Sequence, residues 1–164
     1  MTKEEILGKS NWNKVNSDVL QFTAFSQVFK KDVPFSIHFS NPGVSKILSQ
    51  KTLDTINEFL ALDSNEIETI NKKIWNHCLR CHQTTKSSFD GGKTWQEYKL
   101  EDNLRDGQIE SEHDALSKTY VSEVYIDNNN GFDDRILWLM IGTSWDVEHD
   151  INFTYINGKL DSVT

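Results

Sequence analysis

The chain has 164 residues, 37% hydrophobic and 26% charged, with two prolines and eight glycines, which predicts one folded domain over 1–164 and excludes a disordered or low-complexity chain. Lys plus Arg number 17 against 25 Asp plus Glu, a formal charge of −8, so nucleic acid is disfavoured as a partner and a basic protein is permitted. The longest apolar stretch, 136–141, is far short of the roughly 20 residues of a membrane span; residues 1–14 hold no apolar signal core, so a cytoplasmic protein without a membrane partner is expected.

The segment through Asn16 is polar and predicted to be irregular. Two aromatic-rich runs follow, with Phe22, Phe25 and Phe29 in the first and Val33, Phe35, Ile37 and Phe39 alternating in the second. Lys30, Lys31 and Asp32 separate them, which predicts a hairpin over 20–39. Asn41-Pro42-Gly43 ends it as a turn.

Two helices are expected next. Residues 52–62 place Leu53, Ile56, Phe59 and Leu60 on one stripe. Asp63 and Glu66 form a capping box for a second helix, whose apolar face is Ile67, Ile70, Ile74, Trp75 and Cys78. It frays after Cys81. Residues 84–110 carry no readable period, with a loop at Asp90-Gly91-Gly92, and Ser111 with Asp114 opens a short helix over 112–118.

The last third reads as sheet. Residues 120–126 form a strand, and the almost unbroken apolar run 135–142 predicts a central strand covered on both faces. Residues 151–156 alternate, and Asn157-Gly158 predicts a hairpin returning over 160–163. The fold class is α+β, a mostly antiparallel sheet with helices packed on one face.

His77-Cys78-Leu79-Arg80-Cys81-His82 contains C-x-x-C-H, formally a haem-attachment signature. Cys78 continues the helix stripe, where a small buried hydrophobe belongs, so the cysteines read as packing residues and no cofactor is expected. Zinc on Cys78, Cys81 and His82 with a distant histidine is the weaker alternative, and a thioredoxin-like pair needs the motif at a helix start. Gly92-Lys93-Thr94 lacks the first glycine of a phosphate loop, which falls at Ser87. Asp127, Asn129 and Gly131 resemble a calcium loop whose twelfth position is Trp138 instead of Glu.

The most chemically loaded stretch is Trp145-Asp146-Val147-Glu148-His149-Asp150, echoed by Glu112-His113-Asp114. Were the two to meet, His113, Asp114, Glu148 and His149 could hold a metal and activate water, making a metal-dependent hydrolase the alternative function. A non-catalytic structural module is a further one.

The ending W-D-V-E-H-D-I-N-F-T-Y-I-N-G-K resembles the close of a family of small, uncharacterised bacterial domains with a W-D-x-E-H-G turn and an N-G-K hairpin. Trp145, Asp146, Glu148, His149, Asn157, Gly158 and Lys159 fall on those motifs, and Asp150 replaces the glycine. The resemblance implies an immunity protein that neutralises a toxin, with no activity carried over. Charge distribution agrees: residues 1–96 carry 12 basic and 10 acidic side chains, whereas 97–164 carry 5 and 15. An acidic surface meets a basic effector quickly and disfavours wrong partners. Glu97, Glu101, Asp102, Asp106, Glu110 and Glu112 are the expected steering charges, with Trp95 and Tyr98 as anchors and Asp146, Glu148 and His149 as further binding residues.

Overall fold

The computed structural model describes residues 1–39, 46–88, 90–128 and 131–164; the expected turn at Asn41-Pro42-Gly43 and Asn129 of the calcium-like loop lie outside the described residues. In chain order the elements are α1 (Lys3–Lys9), β1 (Asn11–Trp12), β2 (Val19–Ser26), β3 (Lys31–His38), α2 (Gln50–Leu60), α3 (Ser64–Cys81), β4 (Thr85–Ser87), β5 (Gln96–Tyr98), α4 (Leu100–Asp106), α5 (Glu112–Ser117), β6 (Thr119–Asp127), β7 (Ile136–Thr143), β8 (Ile151–Ile156) and β9 (Lys159–Val163). Seven strands form one sheet in the order β1-β2-β3-β6-β7-β8-β9, and β4 pairs with β5 alone. All neighbours are antiparallel except β3 and β6. That parallel pair follows from the long helical connection between the two strands, since a chain crossing one face of a sheet returns to the end where it started. The protein is α+β, with its helices on one face.

Period-2 alternation sets which side chains face the helices. Pairing aligns Phe22, Phe35, Val124, Leu139, Phe153 and Val163 in a row across six strands. All but Val163, which is half-buried, are closed to solvent. Ile56 and Phe59 of α2 and Ile70 and Ile74 of α3 complete this core, with the Phe59 ring edge-on to Phe35 at 5.7 Å. On the opposite face no helix covers the central strands among the described residues, and the large side chains there stay partly exposed. There His38, Tyr125 and Trp138 lie half-buried in ring contact, with centroids 4.4 and 5.1 Å apart.

That open face corrects the expectation for β7. The strand is internal, between β6 and β8, but Leu137, Leu139 and Ile141 are buried while Trp138 and Met140 are half-exposed. Its continuous apolar run reflects an apolar patch on the uncovered side, not a second layer. The start of the chain is a second correction. Thr2 caps α1 and Glu5 returns the bond to the Thr2 backbone, a complete capping box. Ile6 is fully buried in the main core, and the N-terminal ammonium and the Met1 carbonyl both bond the Asn57 side chain of α2.

The remaining expectations from periodicity agree with the elements. The hairpin pairs Val19 with His38 through Ser26 with Lys31. Asp63 caps α3 by accepting from the Asn65 and Glu66 amides, although Glu66 does not complete the box. Asn157 and Gly158 both take positive φ, 51° and 76°, the conformation of a two-residue hairpin turn. Asp150, which stands where the resembling family has glycine, is not among the positive-φ residues; its carboxylate instead accepts from Ser122 Oγ, at the bulge between Val121 and Glu123. Among the described residues no helix is long and apolar enough to cross a membrane.

Candidate functional site

The last two turns of α3 are where the unusual sequence motifs converge. Ile70 and Ile74 face the main core, and one more step along that stripe carries Cys78 into a second, smaller core with Ile109 and Ala115. Trp75, Leu104 and Trp145 pack against the small core, and Trp145 also touches the main one. The connection between α3 and β6, without a readable period over 84–110, is therefore a small unit docked on α3: hairpin β4–β5, then α4, then α5, the last at the position expected from Ser111 and Asp114. Asn103 of α4 fastens it by donating from Nδ2 to the carbonyls of His82 and Gln83, at 3.1 and 3.2 Å.

The turn after β7 reaches the same place. Thr143 Oγ1 accepts from the Asp146 amide at 3.1 Å, and Asp146 Oδ1 accepts from the His149 amide at 3.2 Å and lies 3.2 Å from His149 Nδ1. This self-bonded loop holds the Trp145 indole so that Nε1 donates to His77 Nδ1 at 3.3 Å.

His77 and Cys81 are four apart on one face of α3, and Cys81 Sγ lies 3.6 and 3.7 Å from the two ring nitrogens of His77. Donor atoms of His77, Cys81 and Asp146 all fall within 4.8 Å of one another. Burial, reinforced by Arg80, lowers the His77 pKa, with Asp146 opposing. Burial and then Asp146 raise that of Cys81. Burial alone would raise Asp146, but hydrogen bonds from the His149 ring and backbone outweigh it and leave the carboxyl below its ordinary value. The resting cluster is thus a neutral imidazole, a thiol and a carboxylate. At a helix C-terminus, burial and the Asp146 carboxylate outweigh the one nearby cation, Arg80, so the Cys81 thiol is not poised as a nucleophilic thiolate.

Neither metal set read from the sequence is the one assembled. Cys78 is fully buried, and its sulfur faces His82 Nδ1 at 3.7 Å; burial pushes its thiol up to about 11. It packs, as expected; Cys81, expected to pack as well, is instead exposed, because it leaves the apolar stripe that Cys78 continues. His113, Asp114, Glu148 and His149 do not converge: no three of them offer donor atoms within 4.8 Å of one another. Asp114 is occupied at the start of α5, accepting from Ser111 Oγ at 2.9 Å and the Glu110 amide at 3.1 Å. These bonds, Ser111 first, hold its carboxyl below the usual range. His77, absent from every earlier candidate set, is the residue that sequence reading missed; its signal was the spacing of four to Cys81.

The expected steering charges lie on the docked unit and the turn. Trp95 is 63% exposed in the β4–β5 loop, and Tyr98 is half-buried opposite Thr85. Gly92-Lys93-Thr94 sits in that same loop, where Asp90 accepts from the Thr94 amide at 2.7 Å, and not between a strand and a helix. Glu97 approaches Lys86 at 3.9 Å and Asp102 pairs with Arg105 at 2.6 Å. Glu101, Asp106, Glu110, Glu112 and Glu148 are exposed and have no ion-pair partner among the described residues. A cavity beside Tyr155, lined by Phe59, Leu62, Arg135 and Leu137, has a volume near 10 Å³, room for one water and no substrate.

Residues 4–164 match the family model described as "Domain of unknown function (DUF6985)". No curated protein and no solved structure matches the chain.

Proposed function

We propose a protein-binding role for this chain, which belongs to the DUF6985 family of domains of unknown function: it is an acidic inhibitor of a basic protein, in the manner of an immunity protein that neutralises a toxin. One observation carries the reading. Glu101, Asp106, Glu110, Glu112 and Glu148 are exposed and form no close ion pair among the described residues, although Glu112 feels the field of Lys72, and they lie on elements that border α3. Acidic side chains of this kind contribute little to a fold when they have no cation to pair with. A cationic partner pairs with them and is drawn in by their field. Trp95, large and 63% exposed in the β4–β5 loop of the same docked unit, supplies the apolar anchor that charge alone lacks.

The test uses the products of genes adjacent to the one encoding this chain. A basic neighbour is expected to be toxic when expressed alone and harmless with this protein. The complex should weaken as salt rises. Changing Glu101, Asp106 and Glu110 together to Lys should slow association by about tenfold or more at low salt. The proposal fails if no adjacent product binds and none is toxic without this chain.

A further inference from the structure

We propose that His77, Cys81 and Asp146 bind one divalent cation of the zinc class, closing the junction between α3 and the turn after β7. The argument is independent of the inhibitor reading and rests on donor chemistry and spacing. Sulfur, imidazole nitrogen and carboxylate oxygen together are the ligand types that zinc accepts, whereas hard cations such as magnesium and calcium take oxygen alone. Zinc–sulfur and zinc–nitrogen bonds of about 2.3 and 2.0 Å meeting at a tetrahedral angle set the donors about 3.5 Å apart. Cys81 Sγ already lies 3.6 Å from His77 Nδ1 and 3.7 Å from Nε2, held there by one turn of helix, so the separation is met and a rotation of the imidazole is needed to aim one nitrogen at the ion. Asp146 arrives from a loop fixed by its own hydrogen bonds and brings its oxygen within the same 4.8 Å.

His149 is the positioning residue. Its ring and amide hold Asp146 Oδ1 and so fix the orientation of the carboxylate, the arrangement by which outer-shell partners orient a ligating carboxylate. Three protein ligands leave a fourth position for water or a partner's side chain. Binding converts the Cys81 thiol to a thiolate and releases its proton to solvent.

Trp145 must yield. A neutral imidazole has one nitrogen lone pair, and Trp145 Nε1 now donates to it at Nδ1. A cation on His77 therefore displaces the indole N–H.

Cobalt(II) added to the full chain, stripped by chelator and kept reduced, tests the site. One equivalent is expected to bind with a thiolate-to-cobalt charge-transfer band and to change the emission of Trp145, a change absent from Trp145→Phe. Zinc should displace it. Cys81→Ser should abolish the band, and His77→Ala should weaken binding by more than about tenfold. Cys78→Ala, checked for an unchanged circular dichroism spectrum, should keep the band. Trp145→Phe, which removes the competing donor, should bind at least as tightly as the parent. The proposal is overturned if the parent chain shows no band, if Cys81→Ser keeps it, or if Cys78→Ala loses it while folded.

Discussion

His77 shows how a single side chain takes its properties from groups far along the chain. It lies 68 positions from Trp145 in sequence, yet the indole N–H fixes which of its nitrogens keeps the lone pair. Its burial, aided by Arg80, lowers its pKa, so the folded chain holds a neutral ring at pH values where the unfolded chain, titrating near 6.5, begins to protonate. Within that window the unfolded state binds more protons, so stability rises with pH and falls as the solution is acidified below about 6.5. Urea midpoints of the metal-free chain between about pH 7 and 5 should show this slope, and His77→Gln should flatten it. An unchanged slope in the variant would mean that other groups carry it. Cys81 and His77 share a helix face, and that spacing was legible; Asp146 as their neighbour was not, because only tertiary packing brings it there.

At the scale of elements, period and capping were readable wherever an element buries a stripe. Helix α3 has five inward residues, Ile67, Ile70, Ile74, Trp75 and Cys78, and strand β8 alternates, while β6 does so only after its bulge. Helix α1 buries only Ile6, so periodicity says nothing about it, although Thr2 and Glu5 spell its capping box. The pairs β4–β5 and helix α4 are short and largely exposed, and their shape comes from docking, not from pattern. Contacts between elements are similarly invisible in the sequence. Arg135, at the start of β7, donates from Nε and a terminal nitrogen to both oxygens of Glu58 on α2, at 3.0 and 2.6 Å. Both side chains are about a third exposed, 33% and 32%, so solvent screens the pair. A double-mutant cycle with Glu58→Gln and Arg135→Met should give a small favourable coupling that shrinks as salt is added. A coupling indistinguishable from zero at low salt would make the contact geometric only.

Across the whole molecule, two cores of different size share α3. The larger lies between the sheet and α1–α3; the smaller holds Cys78, Ile109 and Ala115 and secures the acidic unit. Ile109 is 3% exposed and belongs to the smaller. Its replacement by Ala should cost about 2–5 kcal/mol locally, speeding amide hydrogen exchange in 84–118 while β6, β7 and β8 keep their protection. Equal acceleration in the sheet would show that the two cores unfold as one. The same division bears on the proposed binding surface, since loosening the small core should weaken capture of a basic partner without unfolding the sheet.

The sequence by itself determined the α+β class, the β2–β3 and β8–β9 hairpins, the faces of α2 and α3, and the bias of acidic residues toward the final 68 positions. These follow from local periodicity, turn chemistry and composition, which need no distant partner. Tertiary structure alone decided that one face of the sheet stays open, that β3 runs parallel to β6, and that an internal apolar strand is covered on one side only. It also separated the two cysteines, one into a core and one beside His77, and brought the Trp145–His149 turn to the end of α3. Such pairings are set by which apolar surfaces close on one another across the chain, and no window of neighbouring residues contains that information.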